Sequence, residues 1–151
     1  MLEFSSKQGL SEKAAGLLRR SIELNPNFAE PYSRLASLYA EQGFRIEAEE
    51  LHRHALHLQP HNSDLVNNYA AYLQQTGNTR QALYMYRTAL RLRPYHVIAT
   101  ENVRQIVQQL ATKNQLVANL LVRTQVDSKH TVWLDLLDDL LMSPTMQSVF
   151  G

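Results

Sequence analysis

One fixed interval, which separates Gly9 from Gly43 and Gly43 from Gly77, constrains the fold of this chain more than any other feature of its sequence. Five kinds of position recur at that interval. They are Gly9, Gly43 and Gly77; Ala14, Ala48 and Ala82; Ser21, Ala55 and Ala89; Leu24, Leu58 and Leu92; and Pro26, Pro60 and Pro94. A fixed period of this length predicts supersecondary units that cannot bury their apolar faces alone and that stack on their neighbours.

Each period contains the pattern of two helices. Apolar residues share one face of a predicted first helix over 29–41, and a second helix is predicted over 46–58. Gly43 stands between them, at a position that tolerates a left-handed backbone, and Pro60 ends the unit. Alanines allow the two helices to pack closely. The structural repeat residues are Ala48, Ala55, Pro60, Ala82, Ala89 and Pro94.

These positions resemble the tetratricopeptide repeat, whose period of about 34 residues they share. The resemblance implies an all-α fold: a right-handed superhelix of antiparallel helix pairs. In the second full unit, Ser63 and Asp64 stand where an N-cap is expected.

Too few residues precede Gly9 for a complete first helix, so we expect the chain to begin inside a repeat, as a fragment would. The predicted organisation is a partial repeat at 1–28 (the second helix of a truncated unit), repeats at 29–62 and 63–96, a degenerate repeat at 97–128, a capping helix at 129–144 and a disordered tail at 145–151.

The C-terminal third departs from the repeat. Arg123 stands where the earlier units have alanine, and Ser128 where they have proline. The last predicted helix has an apolar side, made of Val132, Trp133, Leu136, Leu137, Leu140 and Leu141. We expect this helix to cover the last apolar face of the array. The alternative is partner recognition, because residues 137–141 match LxxLL and residues 133–136 match an aromatic-x-x-aliphatic motif.

Composition excludes several classes of function. The net charge is +1, which argues against nucleic-acid binding, and no apolar run is long enough to insert this chain into a membrane. Cysteine is absent and no catalytic motif occurs, so we expect no catalysis by this chain and no cofactor. His52, His54, His57 and His61 are clustered, but no carboxylate or thiol completes a ligand set, so no metal site is predicted.

The expected function is binding of a protein or an extended peptide in the concave groove, which the first helices line. The candidate groove residues are Ser33, Ser37, Asn67, Asn68, Gln74, Gln75, Asn102, Gln105 and Gln109. The carboxylate clamp of chaperone-adaptor repeats is rejected, because its positions offer no cation here. Asn68 and Asn102 resemble the asparagine ladder of O-GlcNAc transferase, which holds a peptide backbone, whereas Arg34 departs from it. The alternative is that these are solvated polar residues.

A narrower resemblance covers about residues 17–110. The stretches 19–22, 36–38, 63–65 and 67–69 are similar to the repeat region of transmembrane O-mannosyltransferases that act on cadherins. This resemblance implies a lumenal location in the endoplasmic reticulum and a parent whose missing membrane half uses dolichyl-phosphate mannose. The alternative is a free-standing cytoplasmic scaffold or adaptor. In either case an exposed end of the array predicts weak self-association.

Overall fold

The computed structural model describes residues 2–124 and 131–151, with side chains for 6–124 and 133–151. In these ranges all regular secondary structure is helical, and neighbouring helices pack in pairs. The helices are α1 (Leu2–Leu24), α2 (Ala29–Glu41), α3 (Arg45–Leu58), α4 (Ser63–Gln75), α5 (Thr79–Leu92), α6 (Val97–Lys113), α7 (Gln115–Thr124), α8 (Thr131–Met142) and a 3-10 helix (Pro144–Phe150). The described helices include none that is both long and apolar enough to cross a membrane. The chain forms two compact units, 1–61 and 62–151.

In the first unit, α2 packs against both α1 and α3. Small residues make the α2–α3 contact possible: the predicted Ala48 and Ala55, together with Ala36, are at most 1% exposed. Because an alanine side chain adds only one carbon beyond the backbone, the two helix axes can approach closely. Ala82 and Ala89, one period later, are equally buried in the second unit. The predicted role of these alanines in packing is confirmed.

A glycine turn ends the first helix of each pair. Gly43 and Gly77 have φ of +89° and +86°, a region that a residue with a Cβ rarely adopts. After Gly43, the amide of Phe44 donates to the carbonyl of Tyr39 at 2.9 Å, and the amide of Gly43 donates to that of Ala40 at 3.1 Å. The turn at Gly77 has the same two bonds. This arrangement satisfies the last carbonyls of the helix and redirects the chain into the second helix.

Gly9 does not form such a turn. Although it is in phase with Gly43 and Gly77, α1 runs without interruption through Gly9 and Gly16 to Leu24. Glycine permits a left-handed backbone but does not impose one, so its presence costs the helix only about 1 kcal/mol. The N-terminal segment is therefore a single helix of 23 residues, longer than the second helices that follow it.

The second unit begins with two packed pairs, α4 with α5 and α6 with α7. One period after Gly77 the chain has Ala111, which favours a continued helix. Accordingly α6 has 17 residues, against 13 in α4. It ends at Lys113, and the side chain of the next residue, Asn114, accepts hydrogen bonds from the amides of Leu116 and Val117 and so starts α7.

The start of α4 differs from the expected cap. The N-cap is Asn62, whose Oδ1 accepts from the amides of Asp64 and Leu65 at 3.1 and 3.3 Å. The prediction that Ser63 or Asp64 caps the helix is wrong by one or two residues, because the asparagine oxygen reaches both amides. Ser63 instead donates from Oγ to the carbonyl of Ala89 in α5 at 2.9 Å, and it is buried.

A polar cluster joins the start of α4, the end of α5 and the start of α6. His96 caps α6 by accepting from the amide of Ala99 at its Nδ1, which places the ring proton on Nε2. That Nε2 lies 2.9 Å from Oδ1 of Asp64 in α4, and Arg93 also reaches Asp64 at 3.0 Å. These contacts fix the start of α6 beside the start of α4.

The C-terminal helices pack within the second unit. Helix α8 contacts α5 and α7 through its leucines, and Leu136, Leu137, Leu140 and Leu141 are at most 1% exposed. Arg87 of α5 forms an ion pair with Asp138. The 3-10 helix follows, with Met146 only 6% exposed, so the prediction of a disordered tail from residue 145 is wrong. A hydrophobic side chain outside the repeat pattern anchors this segment.

Candidate functional site

The second unit carries a group of amide side chains on two helices that contact each other, α4 and α6. We call this group the amide face. Its members are Asn68, Gln74, Gln75, Asn102, Gln105 and Gln109. Asn68, Gln74 and Asn102 are half-buried, and the other three are exposed. An amide offers both donors and an acceptor, which are the groups that an extended peptide backbone needs.

Tyr86 joins the two helices beneath the amide face. This α5 residue is fully buried, and its hydroxyl donates to Oε1 of Gln74 at 3.0 Å. Burial raises the pKa of Tyr86 to about 12, and a hydrogen bond with the Asn102 side chain partly opposes that rise. The Tyr86 hydroxyl therefore orients the Gln74 amide of α4 and interacts with the Asn102 amide of α6.

Two predicted groove residues are not accessible. Ser33 is 0% exposed and Asn67 is 5% exposed, so neither can contact a ligand in this state, and their assignment to the groove is wrong. Both stand at the fifth position of a repeat, where a short side chain on a packed helix is covered by its surroundings. Oδ1 of Asn67 has no hydrogen-bond partner among the described residues. Ser37 is exposed on α2, and its Oγ donates to the carbonyl of Ser33.

At the outer end of the amide face, Glu101 is held by its neighbours. Arg104 donates to both of its carboxylate oxygens at 2.7–3.0 Å, and Gln105 donates to one of them at 3.1 Å. The bonds from Arg104, and next the bond from Gln105, lower the pKa of Glu101. The negative charge beside the face is thus paired with a positive one, which leaves the face close to neutral.

The first unit has a pocket that sequence reasoning assigned only to packing. It lies between α2 and α3, has a volume of about 490 Å³, and is called the α2–α3 pocket below. Its lining residues are Tyr32, Leu35, Tyr39, Glu47, Glu50, Leu51 and His54. These residues are mostly three, four or seven positions apart along each helix, and residues at that spacing share a helix face. This spacing is the sequence pattern from which the pocket lining could have been predicted.

The clustered histidines separate in the structure. His52 is buried at 1% exposure, whereas His54, His57 and His61 are exposed. The His54 ring packs against Tyr32, with the ring centroids 4.5 Å apart. In the described part of the chain, no three His, Asp or Glu side chains are grouped so that they could hold a metal ion.

A cleft in the second unit lies between the α4–α5 turn and the 3-10 helix, with a volume of about 530 Å³. Its cation is Arg80, which donates to Oε1 of Gln147 at 3.0 Å and lies 5.9 Å from the centroid of the Phe150 ring. Through these two contacts, Arg80 holds the 3-10 helix against the start of α5. We therefore assign the cleft a structural role.

Two comparisons with known proteins give no relatives of this chain. No protein-family model matches the sequence, and no curated protein matches it.

Proposed function

We propose that this chain is a protein-interaction module of the tetratricopeptide type and that its amide face binds an extended peptide. The repeat assignment is supported by the fixed interval in the sequence, by the matching turns at Gly43 and Gly77, and by the buried alanines at equivalent positions. The binding proposal is carried by one observation: the buried Tyr86 hydroxyl donates to the Gln74 amide of α4 and interacts with the Asn102 amide of α6.

The chemistry of the amide face favours backbone recognition over charge recognition. An extended backbone presents N–H and C=O groups in alternation, and a side-chain amide can pair with either. Glu101, the charged residue beside Asn102, is neutralised by Arg104. Orientation by Tyr86 reduces the rotamer entropy that Gln74 loses on binding. We therefore expect affinity to depend weakly on peptide charge.

The likeness of residues 17–110 to the repeats of cadherin-directed O-mannosyltransferases suggests one class of ligand. We propose extended segments of secretory-pathway proteins, presented to the chain in the lumen of the endoplasmic reticulum. In this proposal the chain recruits substrates, and the chemistry belongs to a membrane half of a longer parent. The competing proposal is a scaffold that binds cytoplasmic proteins through the same face.

Photo-crosslinking capture tests both proposals, with the chain directed to the lumen in one experiment and to the cytosol in the other. The test variant is Asn68→Ala/Asn102→Ala. The matched control is Asn27→Ala/Asn119→Ala, which removes two exposed asparagines that lie outside the amide face. Loss of captured partners in the test variant alone would support peptide binding by the amide face. Equal capture by all three proteins would refute it.

The Tyr86→Phe variant examines the orienting hydroxyl separately. It keeps the aromatic ring in the core but removes the bond to Gln74. We expect a loss of about 1 kcal/mol of stability and weaker capture, although no residue of the face itself is changed. Capture of cadherin-type proteins in the lumen would favour the transferase proposal, and capture confined to the cytosol would favour the scaffold.

A further inference from the structure

The α2–α3 pocket combines an aromatic and apolar floor with two carboxylates at its rim. Leu35 at 3% exposure and the half-buried Leu51 form the apolar part, and Tyr32 and Tyr39 supply the aromatic part. Neither the peptide-binding proposal nor the amide face involves these residues. We propose that this pocket binds the side chain of an arginine presented by a partner protein.

The aromatic rings are held in place before any ligand arrives. The Tyr32 hydroxyl donates to the carbonyl of Pro26 at 2.8 Å, and its ring packs at 59° against the ring of His54. The Tyr39 ring packs edge-on against Phe44, with the centroids 6.0 Å apart. Rings that are already oriented offer their faces to a ligand at little entropic cost.

The carboxylates of Glu47 and Glu50 have no ion-pair partner among the described residues, although both line the pocket. Two other acidic residues of the same two helices are paired: Glu30 with Arg34 at 2.7 Å, and Glu49 with an arginine of α3 at 2.9 Å. The pocket therefore presents uncompensated negative charge above an apolar floor. A ligand that fits it needs a cation and an apolar surface together.

Arginine meets this requirement better than lysine does. Its guanidinium is planar, stacks on aromatic rings and donates to carboxylates in a fixed fork, and it is less strongly hydrated than an ammonium group. The chain already places one guanidinium against a lining residue of the pocket. Arg19 of α1 donates to the Tyr39 hydroxyl at 2.8 Å and leaves both carboxylates unpaired.

The test uses a blocked five-residue peptide with a central arginine flanked by leucines, together with lysine and citrulline versions. Binding to the whole chain is followed by NMR at the rings of Tyr32, Tyr39 and His54. Citrulline keeps the shape of arginine but carries no charge. We expect saturable shifts with the arginine peptide, and affinity about tenfold lower with citrulline, since the carboxylate and ring contacts both depend on the charge.

Charge variants assign the effect to the pocket. Glu47→Gln/Glu50→Gln should reduce arginine affinity about tenfold, to the level of citrulline. Glu12→Gln/Glu41→Gln removes the same charge from exposed positions that do not line the pocket, and should leave affinity unchanged. Thermal unfolding of both variants checks that they fold.

Three results would overturn the proposal. Equal binding of the citrulline peptide would show a merely apolar groove, and equal weakening in the control variant would show a long-range charge effect. The third is the appearance of the same ring shifts on raising protein concentration without peptide, because a second copy of the chain would then be the occupant.

Discussion

At the scale of single residues, burial at one position of the repeat has a different consequence in each of the two units. His52 and Tyr86 stand one period apart, and both are buried in the second helix of a pair. The tyrosine turns its hydroxyl to two surface amides, so burial serves a candidate binding site. The histidine is an ionisable group in the core, and its burial makes stability depend on pH.

We expect the first unit to lose stability in mild acid through His52. Burial lowers the pKa of His52 from 6.5 to about 4, while the nearby Glu49 charge acts in the opposite direction. Since the unfolded chain takes up the proton first, stability is complete above pH about 6.5 and falls as the pH drops toward 4. The full loss is about 3 kcal/mol, measurable by urea unfolding at a series of pH values.

The His52→Phe variant should lose much of this pH dependence, because phenylalanine does not titrate in the range. Some would remain, since burial also lowers the pKa of His96. His57→Phe changes an exposed histidine and should retain the wild-type profile. An unchanged slope in His52→Phe would mean that other groups control the acid transition.

At the scale of elements, the glycines show that a repeated residue does not guarantee a repeated conformation. Gly77 ends α4 in a left-handed conformation, whereas Gly16 lies inside α1. A Cβ added at either position would meet no atom within 4 Å, so an added side chain would clash with no neighbour at either site. The two positions therefore differ only in backbone conformation.

This contrast predicts opposite effects of the same substitution. Gly77→Ala should destabilise the fold by about 1–2 kcal/mol, because alanine at this φ is strained. Gly16→Ala should stabilise it by about 0.5–1 kcal/mol through reduced backbone entropy in the unfolded chain. Urea unfolding of both variants measures the difference. Equal effects would contradict the assigned conformations.

The packing of α8 supports a second prediction at this scale. Leu137, Leu140 and Leu141 of the LxxLL sequence are buried, so in this state the motif forms the α8 contact with its own unit. Leu137→Ala should cost about 2–4 kcal/mol and increase amide hydrogen exchange in α8. Met142→Ala, at a residue 51% exposed, is the control and should change stability little. A neutral Leu137→Ala would favour the recognition alternative.

At the scale of the whole molecule, α1 carries an apolar stripe that the described structure leaves open. Leu10, Leu17 and Leu24 are 67%, 69% and 71% exposed, and their spacing of seven places them on one side of the helix. Self-association through this end of the array remains a prediction, and the stripe supplies its physical cause, the burial of apolar surface.

We expect sedimentation to show weak, concentration-dependent association. Leu10→Gln/Leu17→Gln should abolish it by making the stripe polar. Leu116→Gln/Val122→Gln alters two exposed apolar residues of α7 and should leave it intact. A wild-type chain that stays monomeric at high concentration would exclude this contact.

The sequence by itself determined the helix pairs α2–α3 and α4–α5. The bounds of α2 are those predicted, the alanines predicted to be buried are buried, and Gly43 and Gly77 turn the chain. These features follow from local causes: helical periodicity, backbone freedom at glycine, and side-chain size at a close contact. All three causes act within the short, continuous stretch of chain that forms one repeat.

Only the tertiary structure decided which side chains are accessible and where α8 lies. Ser33 and Asn67 are polar residues with groove spacing, but packing covers them, and Met146 anchors a segment that has no repeat pattern. The link from Tyr86 to Gln74 and Asn102 joins three helices, and the α2–α3 pocket joins two. Such features depend on how helices distant in sequence approach each other, and periodicity within one helix does not encode that approach.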